Sequence, residues 1–134
     1  LGEREPLLER MEALRKRADS GDITAISSLI FIAGRAGLYH MAEKYQRIRM
    51  ARHRAMPTDY YNLACYLAMQ NKLEEALAEL EKAFKKGYSD LAWLMRDGEI
   101  AKVRNHPRFR ELLKKYFPEI EGQKKEKPKK ENKK

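Results

Sequence analysis

Three observations predict an all-α protein. Apolar residues recur at helical spacing along most of the 134 residues. Charged side chains make up 37% of the chain against 9% aromatics, 7 Gly and 5 Pro, too few turn-formers for a β-sandwich. The apolar pattern of one helical pair, from Ile26 to Ala42, returns 34 residues later, from Tyr60 to Ala76, which predicts stacked helical hairpins that bury their apolar faces only against one another.

The elements follow in order. Pro6 introduces a first helix through Leu7, Leu8, Met11, Leu14 and Ala18, ended by Asp19-Ser20-Gly21-Asp22. Asp22 is the expected cap of a second helix carrying Ile26, Leu29, Ile30, Phe31, Ile32 and Ala33, which is apolar almost all round and therefore expected between neighbours. Gly37 breaks it. A third helix offers Met41, Ala42, Tyr45 and Ile48 before Pro57, and a fourth, from about Asp59 to Gln70, carries Tyr60, Leu63, Ala64 and Leu67. After a turn at Asn71 and Lys72, a fifth helix carries Leu73, Ala76, Leu77, Leu80, Ala83 and Phe84 as far as Gly87, with Glu74, Glu75, Glu79 and Glu81 directed outward. Shorter helices follow, with Ser89 and Asp97 as expected caps. Pro107 opens a last helix bearing Phe109, Leu112, Leu113, Tyr116 and Phe117, which Pro118 ends. The organisation is thus an N-terminal helix over residues 1–22 packing on the first hairpin, a helical repeat domain with closing helices over 23–118, and a Lys-rich tail over 119–134, expected to be disordered for want of apolar anchors.

The net charge of +9 is unevenly spread. Residues 1–43 carry −1, residues 44–54 carry +5, residues 55–122 are neutral and residues 123–134 carry +5. The excess sits on one helical segment and the tail. Lys44, Arg47 and Arg54 share one helical face, whereas Arg49 and Arg52 follow the apolar stripe. Together with Lys124, Lys125, Lys127, Lys129 and Lys130 these cations are candidates for an electrostatic tether to nucleic acid or an anionic membrane, against the plainer reading of helix-end cations and a solubilising tail. No aromatic interleaves the tail for base stacking.

Equipment for catalysis is missing from the pattern. There is no phosphate loop, dinucleotide glycine pattern, paired cysteine or pair of histidines on one helical turn; His40, His53 and His106 are separated by turns and helix ends. The expectation is no enzyme, no cofactor and no metal site. The single Cys65 rules out an internal disulfide framework and, among Leu63, Ala64, Tyr66 and Leu67, reads as packing filler. No apolar stretch nears the roughly 18 residues of a membrane span. The chain begins at Leu1 without a secretory signal pattern, and the expected location is the cytoplasm, or the cytosolic portion of a larger membrane-associated protein. Abundant Lys, Glu and Arg with 4 Asn and 3 Gln is a composition of thermophilic type.

Under the shift of 34 residues Ile26 pairs with Tyr60, Leu29 with Leu63, Gly37 with Asn71, Tyr39 with Leu73 and Ala42 with Ala76. With Tyr60, Leu63, Ala64 and Leu67 on one helix and Ala76, Leu80 and Ala83 on the next, the sequence resembles the tetratricopeptide repeat family over roughly residues 23–117. Tyr61 to Tyr66, Leu77 to Ala83, Gly87 to Asp90, Trp93-Leu94, Pro107 to Phe109 and Leu112-Leu113 resemble the C-terminal closing unit of bacterial arrays of that family. The resemblance implies a right-handed helical-hairpin solenoid of about two repeats with an N-terminal helix and a helical cap. Gln46 and Arg49 depart from the pattern, standing where an aromatic and an alanine are usual, so the third helix is expected to run longer or pack more loosely. Asp97 and Gly98 occupy the places of Leu63 and Ala64, so a third repeat is not expected.

The fourth helix carries a second stripe, Tyr61, Cys65, Ala68 and Met69, beside its core stripe. The resemblance implies a concave groove, lined by the first helices of successive units, in which Phe31, Arg35, Tyr61, Asn62, Cys65 and Met69 would receive a peptide or a partner helix. Tyr61 and Met69 are then expected to have no core duty. The alternative, that the first helix or the C-terminal helices fill the groove, stays open. The function expected is a protein-protein interaction module or scaffold whose partner is another protein or peptide, self-association included, with the electrostatic tether as the alternative.

Overall fold

The computed structural model describes residues 4–120. It is all-helical, with α1 (Arg4–Asp19), α2 (Ile23–Ala36), α3 (Tyr39–Arg52), α4 (Pro57–Met69), α5 (Leu73–Lys85), α6 (Leu91–Leu94), α7 (Ala101–Arg104) and α8 (Pro107–Tyr116), plus a 3-10 turn over Gly98–Ile100. The helices pack in succession, α2 with α3 and α4 with α5, while α1 lies on α2 and α3 meets α4. The Lys-rich tail beyond residue 120 lies outside the described residues, as do residues 1–3. Residues 119 and 120, at the start of the expected tail, lie with Pro118 in a further helical turn, with the Ile120 amide bonded to the Phe117 carbonyl at 3.2 Å.

Caps set the helix ends. Asp22 accepts hydrogen bonds from the amides of Thr24 and Ala25 at 3.0 and 3.2 Å, and Arg17 pairs with its other carboxylate oxygen. Gly37 ends α2 at φ 76°, a backbone conformation that costs a side-chain-bearing residue energy, and Leu38 closes back on the Ala33 carbonyl at 2.8 Å. At α6 the cap is Asp90, which accepts from the Trp93 amide at 3.1 Å, in place of the expected Ser89. The helix starts at Leu91, so Asp90 holds the capping position and Ser89 lies one residue outside it. Before Pro107 the His106 ring accepts from the Arg108 amide at 3.1 Å.

Two apolar cores form. One gathers Ala18 with Ala25, Ile26, Leu29, Ile30 and Ala33 of α2 and Ala42 and Tyr45 of α3. The other gathers the α4 and α5 stripes with Leu94, Ile100, Val103 and Phe109. Tyr66 of α4 belongs to the first, joining the hairpins. The departures of α3 from the apolar pattern do not loosen it. Gln46 is buried, and its amide donates to the Asp59 carboxylate and carbonyl at 3.2 and 3.3 Å; Arg49 bridges Asp59 at 3.3 Å and the Ser27 hydroxyl at 2.9 Å. Helix α3 runs 14 residues against 13 for α5. Glu79, expected to face outward, is buried along much of its length, with its carboxylate reaching Lys82 at 3.0 Å. The stem packs while the charge escapes to the rim.

Candidate functional site: the exposed face of α2 and its polar neighbour

The six groove candidates do not form one surface. Tyr61 is 4% exposed and Cys65 is 1% exposed, because the segment around the 3-10 turn lies across this side of α4. The expectation that Tyr61 has no core duty is therefore corrected. Its ring stacks on Tyr88 with centroids 4.5 Å apart and planes 3° from parallel, and its hydroxyl donates to the Asp97 carboxylate at 2.6 Å. Cys65 donates to the same oxygen at 3.6 Å. Met69 is partly exposed but sits at the far end of α4, where it shares a shallow trough with Leu38, Tyr39 and Met41. Asn62 is exposed on α4.

Phe31 and Arg35 do come together. Phe31 is 66% exposed, and the Arg35 guanidinium carbon lies 5.8 Å from its ring centroid. On one side of Phe31 runs an open trough of about 490 Å³ lined by Ile23, Thr24, Ser27, Ser28, Phe31 and Ile32. On the other is a recess of about 200 Å³ formed with Ile30, Gly34, Tyr66 and Glu99. Because α2 is apolar on nearly every face, its neighbours bury Ala25, Ile26, Leu29, Ile30 and Ala33 and still leave Phe31 uncovered.

Asp97 and Glu99, absent from the sequence-based site, organise the polar side. Asp97 is buried, caps the 3-10 turn by accepting from the Glu99 amide at 3.0 Å, and receives Tyr61 and Cys65 on its other oxygen. Arg104 holds the turn from behind through the carbonyls of Leu94 and Asp97 at 2.8 and 2.5 Å. The signal for this was Asp97 itself, a charged residue in the register position of Leu63. The Cys65 sulfur and the carboxylate oxygens of Asp97 and Glu99 lie within 4.8 Å of one another. Burial, then the two carboxylates, push the Cys65 thiol up. The arrangement fits a protonated thiol donating to Asp97.

The thiol and the phenols of this nest are held in their protonated forms. Burial, then neighbouring acidic groups, push the Tyr66 and Tyr88 hydroxyls up to about 12, and Tyr61 higher still. In the unfolded chain the thiol and the phenols ionise near their ordinary values of 9.0 and 10.0. The raised folded values make this contribution to stability complete below pH 9 and progressively lost as pH climbs through about 12. The melting temperature is thus expected to fall steeply above pH 9, with a shallower slope for Tyr66→Phe; parallel pH profiles for the two proteins would contradict the assignment.

Two of the cations of α3, Arg47 and Arg49, are committed to internal ion pairs, and the helix ends at Arg52, so Arg54 lies beyond it and does not share a helical face with Lys44 and Arg47 as the sequence predicted. Arg47 pairs with Glu43 at 2.9 Å and with Glu75 at 3.7 Å, and Lys72 and the Gln70 amide also converge on Glu43. Burial pushes the Glu43 carboxyl up, but bonds from Arg47, Gln70 and Lys72 outweigh it and hold it below the usual range. Lys44 and Arg54 are exposed, with the Lys44 ammonium 5.2 Å from the Tyr45 ring centroid. Lys124, Lys125, Lys127, Lys129 and Lys130 lie outside the described residues. No helix among the described residues is long and apolar enough to cross a membrane.

No family model and no solved structure matches the chain. It is similar to lysine--tRNA ligases of Shewanella baltica strains OS155, OS185 and OS195, each 28% identical over 123 residues that take in 86% of this chain. The chain spans about a fifth of the length of these relatives, 20% in each case.

Proposed function

We propose that the chain is a tetratricopeptide-like, right-handed helical-hairpin solenoid that acts as a protein-protein interaction module rather than as an enzyme, and that a peptide or partner helix docks along the exposed face of α2. One observation carries this reading: Phe31, a large apolar side chain 66% exposed at the middle of a helix that buries Ala25, Ile26, Leu29, Ile30 and Ala33, stands between a trough and a recess with Arg35 at its rim. Aromatic and arginine side chains concentrate binding energy when a partner desolvates them. The surface is smaller than the sequence implied, since Tyr61 and Cys65 are occupied by the chain's own 3-10 segment.

The test is selection from a random dodecapeptide display library on the immobilised full chain. Phe31→Ala is expected to weaken the selected peptide by about 2 kcal/mol, roughly thirtyfold. Because the ring is mostly solvated, its loss should change stability by only about 0.5 kcal/mol. An unchanged affinity would set this face aside.

A second reading is the electrostatic tether to nucleic acid or an anionic membrane. The similarity to proteins named for tRNA favours the nucleic-acid form, with Lys44, Arg54 and the tail lysines as contacts. Against it stands the engagement of Arg47 and Arg49 in internal ion pairs. Binding lost steeply with salt and unaffected by Phe31→Ala would favour the tether.

A further inference from the structure

Resting on that reading of the α2 face, the recess beside Phe31 carries information about the partner. Its walls are Ile30, Phe31 and Tyr66, Glu99 contributes a half-buried carboxylate, and Arg35 stands at the edge. Neither Glu99 nor Asp97 makes an ion pair among the described residues, although ion pairs engage acids on α1, before α2, and on α3, α4 and α5. Burial, then the Asp97 charge, push the Glu99 carboxyl up, and the Tyr39 hydroxyl offsets only part of this. Arg35 does not supply the missing charge, since its guanidinium is over the Phe31 ring and forms no ion pair with Glu99. Two adjacent carboxyl groups drawn from water, neither of them directly paired with a cation, favour a positive charge that reaches them.

Gly34 adds the space. A glycine inside a helix sacrifices roughly 1 kcal/mol relative to alanine. Here a Cβ would meet only the Tyr66 ring and hydroxyl, at 3.7 and 3.8 Å, which is ordinary contact. Helix packing therefore does not demand glycine at this position. Its missing side chain leaves the recess open between Phe31 and Tyr66, with room for one long side chain but not for a helix about 10 Å across.

We propose that the docked peptide is anchored by one lysine or arginine, its alkyl stem lying between Phe31 and Tyr66 and its charged head on the Glu99 carboxylate. The stem shields the aromatic walls while the head supplies the counter-charge that the fold omits. The partner is accordingly a basic and apolar segment, not an acidic one.

The experiment uses the dodecapeptides selected on the full chain. A lysine or arginine is expected to recur at a fixed spacing from an apolar residue. Replacing it by norleucine in the tightest peptide should weaken binding about tenfold, and Glu99→Gln should weaken the original peptide about tenfold while leaving the norleucine peptide unchanged. Gly34→Leu, which fills the recess, should weaken the basic peptide at an undiminished melting temperature. Selected peptides without a recurrent base, or equal affinity for the parent and Glu99→Gln, would overturn the anchor while the α2 face still stands on Phe31→Ala. Acidic peptides released by Arg35→Gln would overturn it in favour of the opposite sign. If no peptide is enriched, or Phe31→Ala has no effect, the docking face itself fails and the anchor with it.

Discussion

Replacing Tyr61 by alanine is expected to destabilise the domain by about 3–5 kcal/mol, the range for removing a buried aromatic side chain. Three contributions vanish together: the buried ring, its stack on Tyr88 at 4.5 Å, and the hydroxyl that satisfies Asp97 at 2.6 Å. Tyr61→Phe separates them, because it keeps ring and stack and removes only the hydrogen bond. It should cost about 1.5–3 kcal/mol, the range for a hydrogen bond to a charged group. Chemical denaturation of the two variants measures both. A loss below 1 kcal/mol for Tyr61→Ala would mean that the 3-10 segment does not close over α4.

Asp59→Ala is expected to cost about 2–4 kcal/mol, because one carboxylate at the start of α4 serves three partners. It accepts from the Met56 amide at 2.7 Å, capping the helix, from the Gln46 amide at 3.2 Å and from Arg49 at 3.3 Å. Removal leaves the buried Gln46 amide with only the Asp59 carbonyl, at 3.3 Å, and leaves Arg49 holding Ser27 alone. The Asp59→Asn variant preserves shape and one acceptor and should recover part of the loss. A melting temperature for Asp59→Ala equal to the parent's would show that the two hairpins are held by apolar packing alone.

The helices and most of their ends were legible because their causes are local. Apolar spacing located α1 to α5; Asp22, Gly37, Asp97 and Pro107 act within one turn of themselves, as capping chemistry requires. The candidate site was legible only at Phe31 and Arg35. Periodicity showed that α4 carries a second buried-type stripe, but not whether a ligand or the chain itself covers it. That answer depends on Asp97, 36 residues from Tyr61 in sequence and bonded to it only once the closing segment has folded back. The same holds for Gln46 and Arg49: each looks misplaced along α3 until Asp59, 13 and 10 residues on, supplies the charge that makes burying them favourable. Glu79 escaped for another reason, since its stem is apolar and only the carboxylate needs water.

The central claim is that the uncovered face of α2 receives the partner. The most direct measurement is amide chemical-shift mapping of the full, ¹⁵N-labelled chain during titration with the tightest selected dodecapeptide. The largest shifts are expected along α2 from Thr24 to Arg35 and at Tyr66 and Glu99, with α5 and α8 unmoved. Shifts centred on α3, α5 or the residues beyond 120, with α2 silent, would contradict it.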